Sequence, residues 1–149
     1  MDPLTQGTLG AALPQATAGR ARMGLATLAG FAGGMAPDLD VLIRSSEDPL
    51  LFLEYHRQFT HSLVFIPVGA AVVAALLWAG WGWRRGWAPR QIYGFCLLGY
   101  ATHALLDGCT TYGTQLLWPF SDQRFAWNTV SIIDPLLSLP PVSYTHLTL

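Results

Sequence analysis

Charge is what this 149-residue sequence has least of. Asp, Glu, Lys and Arg make up only 11% of the residues, against about 25% in typical soluble domains. Lysine is absent, and the arginines nearly balance the acids, so the formal net charge is -1. No basic surface for nucleic acid is therefore expected, which excludes nucleic acid as a partner. Because 52% of the residues are apolar, we expect the chain to contact a lipid bilayer instead.

Cysteine and the common catalytic signatures are also scarce. Cys96 and Cys109 are the only cysteines, and on one helix they would lie roughly 20 Å apart, too far to bond to each other. Neither belongs to a C-x-x-C pattern, so a cysteine-rich structural metal site is excluded. The sequence also has no H-E-x-x-H, G-x-S-x-G or P-loop motif, which argues against a zincin-type protease, an α/β-hydrolase and a P-loop nucleotide enzyme.

Apolar runs separated by short breaks predict an all-α fold, a polytopic membrane helical bundle. A first short helix is expected over residues 2–12, with Asp2 as N-cap and Pro3 at the first helical position. The Gly- and Ala-rich run Met23–Met35 is too short to span a bilayer fully, but its small residues favour close packing against other helices.

Two later segments are the expected membrane spans. Residues 63–83 are free of charge and form the clearest candidate, and residues 91–107 form the second. The first of these helices is expected to begin near Thr60, a good N-cap residue. A further apolar run starts at residue 130 and contains the Asp134–Pro135 pair, for which an ordinary helix kink is the favoured interpretation over a functional role.

The arginines predict how this bundle is oriented. Arg20, Arg22 and the 84–90 loop should lie on the cytoplasmic side, by the excess of positive charge in cytoplasmic loops. With that orientation, seven polar residues from separate segments reach the same, outer face of the membrane: Gln6, Asp38, Asp40, His56, His61, His103 and Asp107. This convergence predicts a single polar site at one end of the bundle.

The residue types in this set suit a metal. His103 and Asp107 are spaced i and i+4, so a helix presents both on one face. A histidine and an aspartate on an apolar helix are costly unless they are paired, hydrogen-bonded or metal-bound. The competing interpretation of this pair is a simple structural hydrogen bond. For His56 and His61 the alternative is a solvated loop. For Asp38 and Asp40 it is a polar turn that ends a helix.

Imidazole and carboxylate ligands without cysteine favour a catalytic divalent cation, with Zn²⁺ first and Mn²⁺ or Fe²⁺ as alternatives. Asp38 or Asp107 would act as a base or would orient a ligand, and Arg57 could hold an anionic substrate group such as a phosphate. The expected ligands are His56, His61, His103, Asp40 and Asp107.

The last residues differ from the rest of the chain. Residues 142–149, V-S-Y-T-H-L-T-L, match the in-frame translation of a transposon-type sequencing adapter, so we expect residues 141–149 not to be natural sequence. His146 is therefore excluded as a ligand. On this interpretation residues 1–140 form one membrane-embedded domain that is truncated at its C-terminus.

Several blocks resemble a known family. They are M-D-P-L-T-Q-G-T-L-G-A-A, P-D-L-D, H-R-Q-F-T-H-S-L, H-A-L-L-D-G-C-T-T-Y-G-T-Q-L-L-W-P-F-S-D and S-I-I-D-P, in this order. Together they resemble the bacterial inner-membrane metal-dependent hydrolases of the YdjM type, also labelled LexA-binding hydrolases. Many relatives have His at the position of Gln6, and glutamine is a poor metal ligand.

The resemblance implies a multi-pass inner-membrane protein with an active-site metal. A distant similarity to the helical folds of zinc-dependent phospholipase C and P1 nuclease suggests a phosphoester or lipid-like substrate, by analogy of fold alone. By position, the motif residues carried over are Asp38, Asp40, His56, His61, His103, Asp107 and Asp134. The alternative function is a non-enzymatic membrane protein that binds a metal or a regulatory partner.

Overall fold

The computed structural model describes residues 2–42 and 57–129. Within them the chain forms four α-helices, with short 3₁₀ segments at Arg20–Arg22, Ala36–Leu42 and Phe59–His61. The helices are α1 (Pro3–Thr17), α2 (Met23–Met35), α3 (Ile66–Leu77) and α4 (Pro89–Gly108). The described residues contain no strand, only an isolated antiparallel bridge between Thr114 and Phe125. The predicted all-α class is thus confirmed.

Helix α1 begins as the sequence predicts. The Asp2 side chain accepts a hydrogen bond from the Thr5 backbone N–H at 2.9 Å, and Pro3 occupies the first turn. The predicted end at residue 12 is wrong, because α1 continues through Pro14 to Thr17. Pro14 cannot bond the carbonyl of Gly10, but that carbonyl packs against Gly30 of α2. Close contact between the helices accompanies the continuation of α1 past its proline.

Helix α2 has the predicted bounds, Met23–Met35, and it packs against both α1 and α4. Its glycines let backbones touch. A Cβ atom added at Gly34 would lie 2.5 Å from the carbonyl oxygen of Gln6, and one at Gly33 would lie 2.5 Å from that of Cys96. The predicted role of the small residues is therefore confirmed at the level of helix packing.

Helix α3 begins later than predicted. The expected start near Thr60 is wrong, because residues 59–61 form a 3₁₀ turn and α3 starts at Ile66. Pro67 lies in the first turn, where its missing N–H costs nothing, and the backbone N–H of Phe65 donates to the Ser62 hydroxyl at 3.3 Å. After Leu77 the chain forms a π-helical turn, Trp78–Gly82.

No helix in the described ranges is both long and apolar enough to cross a membrane. The expected spans over residues 63–83 and 91–107 are corrected accordingly. The α-helical part of the first has only 12 residues. The second is a 20-residue helix, α4, but it includes Arg90 and Asp107 among other polar residues. The run that starts at residue 130 and the proposed adapter residues lie outside the described residues.

The helix connections separate the two ends of the bundle. The turns that carry Arg20, Arg22 and residues 84–90 join α1 to α2 and α3 to α4. At the opposite end, the Gln6 side chain near the start of α1 bonds Asp107 near the end of α4. The end of α2 meets α4 there as well, through Gly34 and His103. This end of the bundle gathers most of the polar side chains singled out from the sequence.

The closest helix contact gives a stability prediction. A Cβ at Gly99 of α4 would lie 2.9 Å from the carbonyl carbon of Gly30 and 3.0 Å from its Cα. We expect Gly99→Ala to lower the free energy of unfolding by about 1–3 kcal/mol, since backbone atoms cannot move aside as a flexible side chain does. Denaturant titration in detergent micelles, followed by circular dichroism, measures this change.

Gly94→Ala is the matched control on the same helix, because nothing lies within 4 Å of its Cβ position. It should be neutral, or stabilise the protein by about 0.5–1 kcal/mol through lower backbone entropy in the unfolded chain. Equal effects of the two substitutions would contradict the packing described for Gly99.

Candidate metal centre

Two residues of α4 form the floor of a buried polar cluster. His103 and Asp107 are both fully buried, and His103 Nε2 lies 3.5 Å from Asp107 Oδ2 across one helical turn. This confirms that the i, i+4 spacing places them on one face. His103 Nδ1 lies 2.5 Å from the carbonyl oxygen of Gly34. A carbonyl can only accept, so Nδ1 carries the hydrogen and, in the neutral ring, Nε2 presents a lone pair.

His61 enters from the 3₁₀ turn and faces His103. The two Nε2 atoms are 2.9 Å apart. The other ring nitrogen, Nδ1, lies 2.9 Å from the hydroxyl oxygen of Thr60, which itself donates to Asp40 Oδ2 at 3.1 Å. Because the hydroxyl proton is used on Asp40, the Thr60 oxygen accepts from Nδ1–H. The neutral His61 ring therefore also turns a lone pair toward the centre of the cluster.

Asp38, in the 3₁₀ segment that follows α2, closes the set. Its Oδ1 lies 3.4 Å from His103 Nε2 and 3.7 Å from His61 Nε2. Asp107 Oδ2 lies 3.2 Å from the same His61 nitrogen. Ligand atoms of a tetrahedral Zn²⁺ with bonds near 2.0–2.1 Å are about 3.3 Å apart. One atom from each of the four residues lies within 4.8 Å of the others, so the group has the size of a metal shell.

The buried charges of the cluster do not balance, and the negative excess could be neutralised by a cation. Asp107 accepts a hydrogen bond on Oδ1 from Gln6 Nε2 at 2.8 Å, and its Oδ2 lies 3.1 Å from Arg57 Nε. Among the described residues, the buried ionic groups here are three carboxylates, those of Asp38, Asp40 and Asp107, and the guanidinium of Arg57. With neutral imidazoles the sum is about two negative charges, which one divalent cation would neutralise.

Asp38 is held in its ionised form. Burial opposes ionisation, but when a ring carries a proton on Nε2, the contacts with His103 and His61 outweigh burial and hold the pKa of Asp38 below its ordinary value. Its second oxygen, Oδ2, is buried and has no hydrogen-bond partner within the described part of the chain. An ionised carboxylate with an unused buried oxygen fits a cation ligand or a proton acceptor. The residues present therefore fit a divalent metal with nitrogen and oxygen ligands.

The structure places the remaining predicted residues around this set. Asp40, expected as a ligand, lies on the far side of His61, with Oδ2 at 3.6 Å from Nδ1 rather than beside Nε2. The same oxygen accepts the backbone N–H of Arg57 at 2.9 Å. Arg57 is buried, and its Nη1 donates to Thr110 at 2.8 Å. His56 and Asp134 lie outside the described residues, so their roles stay predictions.

Sequence reasoning missed two groups that orient the imidazoles. Thr60 was interpreted only as a helix N-cap, although it lies directly before His61 and could have been considered as its partner. The carbonyl of Gly34 gave no signal, because a backbone oxygen is identical at every residue. Both groups act on Nδ1, and such partners fix which nitrogen of a histidine faces a metal.

Comparisons with known proteins identify the family of this chain. The sequence model of the YdjM inner membrane protein family matches residues 1–147. Inner membrane protein YbcI of Escherichia coli strain K12 is 37% identical over 123 residues, which are 79% of this chain and 68% of that protein. The uncharacterized protein YfhP of Bacillus subtilis strain 168 is 26% identical over 114 residues, 74% of this chain but only 32% of YfhP. No solved structure matches.

The geometry predicts that the cluster binds one divalent cation. We expect protein purified in detergent to contain about one equivalent of metal, since the lone pairs and carboxylates converge with Arg57 offsetting only part of the negative charge. His61→Ala and His103→Ala should each lose most of it. Thr60→Val, which keeps both ligands, should weaken affinity about 10–100-fold through the orientation of His61. Elemental analysis and competition with a chelating dye measure both quantities.

His146→Ala is the control, because His146 is excluded as a ligand by the sequence analysis, and Thr60→Ser should retain affinity. His56→Ala in the same series tests the remaining predicted ligand. Stoichiometric metal in both His61→Ala and His103→Ala, in protein that remains helical by circular dichroism, would contradict the assignment.

Proposed function

Because the chain belongs to the family of YdjM inner membrane proteins, we propose that it is a membrane-embedded, metal-dependent hydrolase. The observation that carries this proposal is the convergence of two histidine Nε2 atoms and two carboxylates in a buried pocket. The nitrogen and oxygen donors, without thiolate, are typical of catalytic rather than structural zinc. Zn²⁺ is the first candidate, with Mn²⁺ and Fe²⁺ as alternatives.

His61, His103, Asp107 and Asp38 would hold the cation. A divalent cation in such a site acts as a Lewis acid and activates water for attack near neutral pH. The chain's own groups prepare for this chemistry: Gly34 and Thr60 fix the two imidazoles, and Gln6 with Arg57 fixes Asp107. These contacts leave the ligands little rotational freedom, and preorganisation of this kind lowers the cost of reaching the reactive geometry.

Asp38 is the best candidate for the general base. Its side chain is 10% exposed, whereas those of His61, His103 and Asp107 are fully buried, so it is the least buried of the four. Its Oδ2 has no hydrogen-bond partner in the described residues and can accept a proton from an attacking water. Asp40 would not act on the substrate. It accepts the hydrogen bond of the Thr60 hydroxyl, which leaves the Thr60 oxygen to orient His61.

Substrate class follows from analogy and from charge. A phosphoester or a lipid-like ester would bring an electrophilic centre to the cluster, and the bilayer would supply such molecules to a membrane-embedded protein. Arg57 adds positive charge next to Asp107, which favours a substrate whose transition state gains negative charge. Hydrolysis of a phosphoester is accordingly the first activity to test.

Asp38→Asn is the decisive variant for hydrolysis. We expect the metal-loaded wild type to hydrolyse one member of a panel of phosphoesters, phospholipids and amides. Compared at equal metal content, because Asp38 is also a proposed ligand, Asp38→Asn should lower kcat about 10²–10⁴-fold, the usual contribution of a positioned base. Asp122→Asn, an exposed aspartate on the loop after α4, is the matched control and should leave kcat unchanged.

If no member of the panel is hydrolysed by protein that carries stoichiometric metal, the non-enzymatic alternative, a membrane protein that binds metal or a regulatory partner, is favoured. Equal kcat values for wild type and Asp38→Asn would remove Asp38 from the mechanism.

We also propose that the cluster lies at the outer face of the inner membrane. The arginine-bearing turns and the cluster occupy opposite ends of the bundle, and positive charge is enriched on the cytoplasmic side. The outward side of α3 carries exposed Val68, Val72 and Leu76 at intervals of four residues, as a face that contacts lipid would.

A protease site inserted after Gly86, in the turn between α3 and α4, measures this orientation. Gly86 is exposed and nothing lies within 4 Å of its Cβ position, so the turn should tolerate insertion. We expect cleavage by a protease supplied in the cytoplasm and none by a protease added outside spheroplasts. The reverse pattern would place the cluster on the cytoplasmic side.

A further inference from the structure

The loop after α4 is fastened beside the cluster. The backbone N–H groups of Trp127 and Thr129 donate to the carbonyls of Gly108 and Cys109, both at 2.9 Å. Thr114 and Phe125 pair through two backbone hydrogen bonds of 3.0 and 2.9 Å. The first two bonds hold the loop against the end of α4, just after Asp107, and the other two join the two arms of the loop to each other. The side chains on the loop are therefore fixed relative to the proposed metal ligands.

Two guanidinium groups share one aromatic ring on this loop. The Cζ atom of Arg57 lies 5.1 Å from the ring centroid of Tyr112, and that of Arg124 lies 5.6 Å from the same centroid. Cation–π contacts of this length orient a guanidinium but use none of its N–H donors in the plane of the group. The two arginines differ in what those donors contact.

Arg57 is committed within the protein. Its Nη1 donates to Thr110 Oγ1 at 2.8 Å, and its Nε forms an ion pair with Asp107 Oδ2 at 3.1 Å, although the geometry is not that of a hydrogen bond. Arg124 is half-buried, and its Nη1 is buried with no hydrogen-bond partner in the described residues. A buried guanidinium donor without an acceptor is costly, and the donors of this group match an oxyanion in pairs.

An arginine that stacks on an aromatic ring need not have a buried N–H donor without an acceptor. Arg84 and Arg85 also stack, on Trp83 and Trp87 at 5.2 and 5.1 Å, but both arginines are exposed to solvent. Water can satisfy their N–H groups, whereas the buried Nη1 of Arg124 is shielded from it. The difference suggests that an acceptor other than solvent water fills this position.

We propose that Arg124, held against Tyr112, is an anion-binding subsite that takes the oxyanion group of the substrate, with a phosphoryl group as the first candidate. The inference rests on the proposed function and narrows it to anionic substrates. A chain of contacts connects Arg124 to the metal ligands. Tyr112 contacts both Arg124 and Arg57, and Arg57 in turn contacts Asp107.

Binding of inorganic phosphate to the metal-loaded full chain tests the subsite. Isothermal titration calorimetry at low ionic strength should give a Kd for wild type and one about tenfold or more weaker for Arg124→Gln, the size expected for losing charge-assisted hydrogen bonds. Arg124→Lys should fall between the two, because it keeps the charge but not the paired donors. Arg84→Gln, an arginine that also stacks on an aromatic ring, should equal wild type.

Metal content measured on the same samples separates the two proposals. Equal phosphate affinity in wild type and Arg124→Gln, or no phosphate binding by metal-loaded wild type, would overturn the subsite and leave the metal centre standing. Absence of metal from wild type would instead count against the proposed function. Phosphate binding that depends on Arg124 even after chelation of the metal would support the subsite by itself.

Discussion

The constraint on which the structure depends is the approach of two imidazole nitrogens to 2.9 Å in a buried pocket. Each ring has its Nδ1 hydrogen directed away from the other ring, to Gly34 and to Thr60. In the neutral rings the two lone pairs then face each other, next to two carboxylate oxygens. Such an arrangement is unfavourable by itself, because like partial charges lie together where water cannot screen them. A cation at the centre, or a proton on a ring, converts the repulsion into attraction.

Close packing of three helices makes this approach geometrically possible. Helices that meet through ordinary side chains have axes about 8–10 Å apart, but α1, α2 and α4 touch through glycines that bring backbone atoms into contact. Gly34 illustrates the coupling between packing and site. Its missing side chain admits the backbone of α1 at Gln6, its carbonyl orients His103, and the Gln6 side chain in turn bonds Asp107.

Periodic and local features were predictable from the sequence. The N-cap at Asp2, the bounds of α2 and the shared face of His103 and Asp107 all follow from rules that relate neighbours along one helix. The sequence also predicted which polar side chains meet at one end of the bundle, because every second connection between antiparallel helices lies at the same end. These side chains belong to Gln6, Asp38, His61, His103 and Asp107. None of these inferences required knowledge of contacts between distant residues.

The features that sequence reasoning missed depend on such contacts. Helix α1 passes Pro14 beside a packed neighbouring helix, and α3 starts six residues after Thr60 because that residue bonds Asp40 and His61 instead of capping a helix. The two aspartates of the P-D-L-D turn could not be assigned either. They differ only in which side of His61 they reach, and the 3₁₀ geometry of the turn decides that.

Because the chain has few charged residues, the buried ionisable groups of the cluster have a large share in its folding stability. In a soluble protein, most ionisable groups lie at the surface and contribute little. Here Asp38, Asp40, Arg57 and Asp107 are buried together at one end of a small bundle, so their balance affects the free energy of folding directly. A ligand that neutralises the excess negative charge binds the folded chain far more tightly than the unfolded one, in which the residues are scattered. If the cluster holds a cation as proposed, cation binding and the docking of α1, α2 and the 57–62 segment onto α4 would be one coupled process, in which the ion stabilises the contacts of Asp107 and His103 that position it.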